Sequence, residues 1–179
     1  LQRLPSAVLS AIHKRHIESE RKKYLEEVVA NEILFKEAAR LAHFGSWESD
    51  LANRRERWSD EQYDILGYAP GEIEPSLANF MKNIHPEDVG LVEHTLGEAF
   101  KHMTRQKYEC RIIDKTGHVK HISGEMIVKG DDKGRPARIN GFILDVSDRK
   151  ASEHNEKKIS DDLVQRNKDL EQFAYIVSH

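Results

Sequence analysis

Two long stretches without glycine frame this chain, and they limit its architecture more than any other feature. All ten glycines lie between Gly45 and Gly141. From about Pro5 to Ala42, and again from Asp148 onward, charged and apolar residues alternate in a helical rhythm, with proline only at the very start. Glycine and proline are the residues that most disfavour a helix interior, so their absence predicts one long helix on each side of a central segment. Ile17, Arg21, Tyr24, Val28, Asn31, Phe35, Ala38 and Ala42 fall at alternating steps of four and three. Ile159, Leu163, Arg166, Leu170, Phe173 and Val177 do the same in the second stretch. Such spacing is the narrow seam of a coiled coil. The expected organisation is therefore a helix over 1–42, a globular domain over 43–148 and a second helix over 149–179. The charged stretch HKRHIESERKKYLEE reads as a solvated helix face.

The central segment is punctuated by Gly, Pro, Asn and Asp, as in an α+β domain. GSWESDL and RRERWS form a short strand pair turning at Ala52-Asn53. Ser59-Asp60-Glu61-Gln62 has capping-box form: the Ser59 hydroxyl accepts from the Gln62 backbone, and the Gln62 side chain is expected to reach back. The helix it opens ends at Gly67. His85-Pro86-Glu87-Asp88 opens a second helix, with proline at the first position and two carboxylates at the positive end of the dipole. Leu91, Val92, Thr95, Leu96, Ala99, Phe100 and Met103 form its apolar face. Three strands follow, QKYECRIID, HVKHISGEMIVK and ARINGFILDVS, joined by turns at Lys115-Thr116-Gly117 and Asp131-Asp132-Lys133-Gly134. Consecutive hairpins make a meander, which predicts a five-stranded antiparallel sheet with helices on one face. Tyr108, Cys110 and Ile112 share one side of their strand and Glu109, Arg111 and Ile113 the other. Glu109 and Arg111 are expected to form a surface salt link with each other.

Composition narrows the function. A net charge of −3, with 33% of residues charged, gives no global field that would draw the chain to nucleic acid. A single cysteine, Cys110, excludes an intrachain disulfide, a zinc ribbon and a CxxCH haem attachment, and it suits a reducing compartment. No apolar run exceeds five residues, so no membrane segment or signal peptide is expected here, and the cytoplasm is the expected location. Beginning at Leu1 and stopping at His179, straight after a helical pattern, the chain reads as a piece of a longer protein.

AHFGSWESDL, RWSDEQYDILGYAPGEI, IHPEDVGLVEHTL, YECRIIDKTGHVKHISG and DDKGRPARINGFILDVSDRK occur in this order between about Leu41 and Lys150. Together they resemble a PAS domain of the PAS/PAC subgroup. The resemblance implies a five-stranded antiparallel sheet cupping a pocket under short helices, with long coiled-coil helices on either side carrying the signal. DVSDRK resembles the motif by which such domains pass into their output helix, implying a signal-coupling ion pair between Asp145 and Arg149. Where the family often has tryptophan on the outer face, this chain has His121. RNKDLEQFAYIVSH resembles the start of the dimerisation and phosphoacceptor domain of sensor histidine kinases. In that family a Ser-His pair on the first helix supplies the histidine that accepts the γ-phosphoryl group of ATP, which implies that role for His179 after Phe173 and Ser178. A neutral imidazole is a competent nucleophile near neutral pH.

The resemblance implies an input and transmission region of a two-component kinase, a parallel homodimer through the flanking helices, and a response-regulator receiver domain as downstream partner. ATP and Mg would be cofactors of the longer kinase. This piece lacks the ATP-binding domain and is expected to be inactive alone. The alternatives are a dimerisation or protein-interaction module that senses nothing, and a sensor feeding another output such as a cyclase.

PAS domains of this kind hold flavin, haem, a chromophore, a small metabolite or nothing. A flavin adduct needs cysteine on a helix in an Asn-Cys-Arg run. Cys110 lies on a strand and reads as a small buried hydrophobe. Only His94 and His102 are placed to ligate haem, and His94 sits between Glu93 and Thr95 rather than in an apolar stripe. His13 and His16 lack a third ligand, and His118 and His121, three apart on a strand, point to opposite faces, so no metal is expected. Trp58, Tyr63, Phe80, Phe100, Cys110, Ile112 and Phe142 are the pocket-lining candidates, for a ligand of unspecified kind; otherwise they fill the core.

Overall fold

The structure, a computed structural model, describes residues 6–178. It divides into two units, Leu1–Ala42 and His43–His179. The first is a single helix, α1 (Ser6–Leu41). Its outward ion pairs follow helical spacing, with Lys22 reaching Glu26 at 3.8 Å and Lys36 reaching Glu32 at 3.2 Å. The seam residues Tyr24, Val28 and Phe35 are exposed.

The second unit contains β1 (Phe44–Asp50), β2 (Arg55–Trp58), α2 (Asp60–Leu66), α3 (Leu77–Asn83), a 3-10 turn (Pro86–Asp88), α4 (Val89–His102), β3 (Arg105–Ile113), β4 (Val119–Gly130), β5 (Pro136–Asp145) and α5 (Ser147–Ser178). The five strands form one antiparallel sheet in the order β2-β1-β5-β4-β3. Alternation assigns the faces. Tyr108, Cys110, Ile112, Ile122, Met126, Val128, Ile139 and Ile143 point inward and pack with Ile65, Leu66, Phe80, Val92 and Ala99 from the helices. Leu66, Ile112, Ile122 and Ile143 have no exposed surface; burying each contributes about 1.5–3 kcal/mol. The α+β class, the five-stranded antiparallel sheet and the helices over one face are as the sequence predicts.

Local chemistry explains where elements begin and end. Asp50 accepts from the Ala52 and Asn53 backbones at the β1–β2 turn. Asp114 and Asp131 do the same for the next two hairpins, accepting from Thr116 and His118 and from Lys133 and Arg135. Gly67 ends α2 with φ at 81°, a left-handed conformation that glycine adopts without strain.

Three details differ from expectation. Ser59 does cap α2, its hydroxyl accepting from the Gln62 N–H at 3.3 Å. The reciprocal half of the capping box is missing, because the Ser59 N–H already donates to the Ser46 carbonyl at 2.9 Å. Gln62 is thereby released to turn inward, and only 1% of it is exposed. Helix α3 was not anticipated; Ser76 caps it by accepting from the Asn79 N–H. On α4, Val92, Thr95 and Ala99 are buried but Leu91 is exposed, as is Met103 just past its end, so the apolar face is narrower than the sequence pattern suggests.

Candidate functional site: an apolar cavity and the exit joint

Two regular strand pairings build the floor of a cavity. Trp47 on β1 lies opposite Gly141 on β5, and Tyr108 on β3 lies opposite Gly124 on β4. Both aromatic rings cross over their glycine partners: a Cβ placed on Gly141 would come within 2.5 Å of the Trp47 ring, and one on Gly124 within 2.2 Å of the Tyr108 ring. Glycine is required here by close approach rather than by backbone angle. Folding the rings down onto the sheet leaves space above them. The resulting cavity has a volume of about 100 Å³. Trp58, Phe80, Leu96 and Phe100 form part of its wall, and Ser49, Glu56, Gln62 and Ser76 supply polar atoms.

Two buried side-chain atoms among the described residues lack a hydrogen-bond partner, Gln62 Oε1 and Tyr108 Oη, and both residues line this cavity. Leaving such a group unpaired costs about 1–3 kcal/mol. Burial holds the Tyr108 hydroxyl well above its ordinary pKa, so it is a neutral phenol. Burial also raises the Glu56 carboxyl, with the Leu77 backbone N–H opposing it.

Of the seven pocket candidates, Trp58, Phe80 and Phe100 line the cavity. The other four do not. Tyr63 is buried behind it, edge-on to Trp58 at 5.3 Å, with its hydroxyl donating to the Ile73 carbonyl. Ile112 belongs to the closed core. Cys110 borders a separate hollow with Asp88, Arg111 and Lys150, and burial pushes its thiol up to about 12. Phe142 faces the opposite side of the sheet, stacked on Phe44 with ring centroids 4.9 Å apart, because it is one step out of phase with inward Ile139 and Ile143. Trp47, Gln62, Tyr108, Met126 and Ile139 were missed. The grouping of Tyr108 with Cys110 and Ile112 already held the signal for Tyr108. His94 and His102 are exposed on α4. No cluster of three metal-ligating side chains occurs among the described residues.

At the exit, backbone and side chain fasten α5 to the sheet. The Val146 N–H donates to the His121 carbonyl at 2.8 Å, and the His121 N–H donates to Ser147 Oγ at 2.9 Å. The Ser147 hydroxyl in turn donates to Asp145 Oδ1 at 2.6 Å, and the same oxygen accepts from the Ser147 N–H at 2.9 Å. The implied Asp145–Arg149 ion pair is absent. Asp145 is occupied in capping the first turn of α5, while Arg149 reaches Glu153 at 2.8 Å and Glu109 at 3.4 Å. Lys150 completes the attachment to Glu109 at 2.7 Å and, with Arg149, holds that carboxyl below its usual range. Glu109 and Arg111 do not pair with each other. Arg111 instead grips Asp88 through Nη2 at 2.7 Å and Nε at 3.0 Å, and Glu87 at 2.8 Å. These bonds hold the Asp88 carboxyl down at about 2. His179 lies outside the described residues.

Residues 55–143 match the family profile described as PAS fold. The globular unit is a PAS domain. A sensory box histidine kinase/response regulator from Burkholderia thailandensis E264 superposes with a TM-score of 0.59 at 26% identity, covering 74% of this chain and 98% of that one. A domain of the putative light and redox sensing histidine kinase from Haloarcula marismortui gives a TM-score of 0.52 at 21% identity, over 63% of this chain and 97% of that one, a likeness of fold. The methyl sulfide methyltransferase-associated sensor of Methanosarcina acetivorans is 25% identical over 97 residues, which are 52% of this chain. The chain spans only 9% of that relative's length. PAS relatives of this kind support a sensory role for the domain. No described helix is long and apolar enough to cross a membrane.

Proposed function

We propose that the chain is the sensory input and transmission region of a two-component histidine kinase, in which the PAS domain controls ATP-dependent phosphorylation of His179 within the longer protein. The observation carrying this reading is the exit joint, where Asp145, Ser147 and the His121 backbone bind the first turn of α5 directly to the sheet. A displacement of β4 or β5 must then tilt or rotate α5, because no slack peptide intervenes. The 26% identity to a sensory box histidine kinase supports the same output. ATP and Mg would act in the catalytic domain of the longer kinase, and a response-regulator receiver would take the phosphoryl group from His179. Phosphorylation of His179 forms a nitrogen–phosphorus bond as the γ-phosphoryl bond of ATP breaks and ADP leaves; passing the group to the receiver breaks that nitrogen–phosphorus bond and restores the imidazole.

The test is autophosphorylation of the longer kinase. Ser147→Ala, which removes the link between His121 and Asp145, is expected to change the ratio of stimulated to basal rate severalfold. An unchanged ratio would reject the joint as the transmission element.

A second reading, a dimerisation module that senses nothing, draws on the exposed seam of α5. Ile159, Leu163, Leu170 and Phe173 each show more than half of their surface. Such a stripe has the pattern of a coiled-coil partner face. Both readings expect two chains in native mass spectrometry. They part on whether anything entering the cavity alters kinase output.

A further inference from the structure

The cavity has an unusual balance of donors and acceptors. Five aromatic side chains line it: Trp47, Trp58, Phe80, Phe100 and Tyr108. Its only ionisable groups other than the Tyr108 phenol belong to Glu56, a carboxylate; no lysine, arginine or histidine borders it among the described residues. Gln62 Oε1 can only accept a hydrogen bond, and Tyr108 Oη has a free lone pair. The Gln62 oxygen and the Glu56 carboxylate thus favour a positively charged N–H donor, while the Tyr108 hydroxyl can both donate and accept. Aromatic faces attract cations through the ring quadrupole, most strongly when water is excluded. Trp47 and Tyr108, folded over Gly141 and Gly124, turn ring surface toward the cavity in this way. An anion would meet the Glu56 carboxylate and the negative π faces. A neutral apolar guest would leave Gln62 Oε1 without a partner.

We propose that this cavity binds a compact organic ammonium ion, an alkylamine of roughly five to eight non-hydrogen atoms, the size scale set by cavities of comparable volume that hold one benzene. Glu56 supplies the counter-charge at the wall, Gln62 Oε1 accepts an ammonium N–H, and the aromatic side chains surround the alkyl body. This deepens the sensory reading by naming the class of ligand, and it rests on that reading only for its signalling consequence.

The chain contains two tryptophans, and both line the cavity, so intrinsic fluorescence reports occupancy directly. Three probes of nearly equal shape separate charge from size: isobutylammonium, isobutyl alcohol and isobutyrate, titrated into the 179-residue chain. Saturable quenching or enhancement by isobutylammonium, at least tenfold tighter than by the alcohol and absent with isobutyrate, is the expected result. Glu56→Gln should remove most of that preference by weakening the ammonium ion far more than the alcohol. Gln62→Leu should weaken the ammonium ion severalfold, with circular dichroism confirming that each variant is folded. Equal or tighter binding of the alcohol, no binding by any of the three, or full ammonium affinity in Glu56→Gln would overturn the proposal. Binding as expected with no change in the longer kinase's phosphorylation would keep the ligand class and reject the sensory reading; a kinase that responds to other chemistry while the ammonium fails to bind would do the reverse.

Discussion

The cavity and the exit joint lie in one domain and treat polar groups in opposite ways. At the joint, Asp145 Oδ1 accepts twice, Ser147 both donates and accepts, and Glu109 is held by two cations. In the cavity, Gln62 Oε1 and Tyr108 Oη are buried with nothing to bind. A saturated network has one preferred arrangement and moves as a body, which suits a connection that must pass displacement onward. An unsaturated one keeps free energy in reserve for whatever completes it. Under the proposed reading, the cavity would receive the signal and the joint would pass it on.

The hardest way to break this comparison is to fill the floor of the cavity. Gly124→Ala places a Cβ 2.2 Å from the Tyr108 ring, which must swing away from the sheet. A loss of about 1–3 kcal/mol in urea-induced unfolding is expected. Gly97→Ala on α4, where a Cβ meets nothing within 4 Å, serves as the control that should not destabilise.

A second test concerns the saturated side. Asp88 titrates at about 2 in the folded chain against an ordinary 3.8, because Arg111 hydrogen-bonds its ionised form. Its folded pKa is depressed, so the pair contributes fully above about pH 4 and is lost as pH falls through 2. Arg111→Gln should lower stability at neutral pH and flatten the acid limb of the stability curve. Equal slopes for both proteins between pH 5 and about pH 2 would show that the pair does not govern acid unfolding.

The smallest effect sharpens the comparison from the cavity side. Tyr108→Phe deletes a buried hydroxyl that has no partner, so the empty protein should be unchanged or gain up to about 1 kcal/mol. A clear loss in thermal unfolding would mean that the hydroxyl is already satisfied.

The frame of the domain was legible because each of its signals is local. Gly67, Asp114 and Asp131 act within a few residues of their own positions, and the alternation of Tyr108, Cys110 and Ile112 needs only one strand. The site was less legible because it depends on pairing between strands. Nothing near Phe142 in sequence reveals that Ile139 and Ile143 set the inward phase. Gln62 was read as a capping residue because the Ser46–Ser59 pairing that takes its target N–H spans 13 residues. Arg149 was assigned to Asp145 by motif, yet the nearer acids in space are Glu153 and Glu109. Helix α3 is short, and its cap at Ser76 lies in a stretch where Pro75 and the acidic residues around it suggest only a loop.

The strand order carries a mechanical consequence. β1 opens the domain and β5 closes it, and the two are antiparallel neighbours, with Phe44 paired to Leu144 and the Asp145 N–H bonded to the His43 carbonyl. The chain therefore comes in and goes out at adjacent points on the same edge of the central strand pair. Tension drawn between those two points would load the ladder one rung at a time, peeling it from His43 inward, rather than shearing all rungs together. Such a domain yields at low force, and because its ends lie side by side it can be spliced into a host chain without prying the host apart.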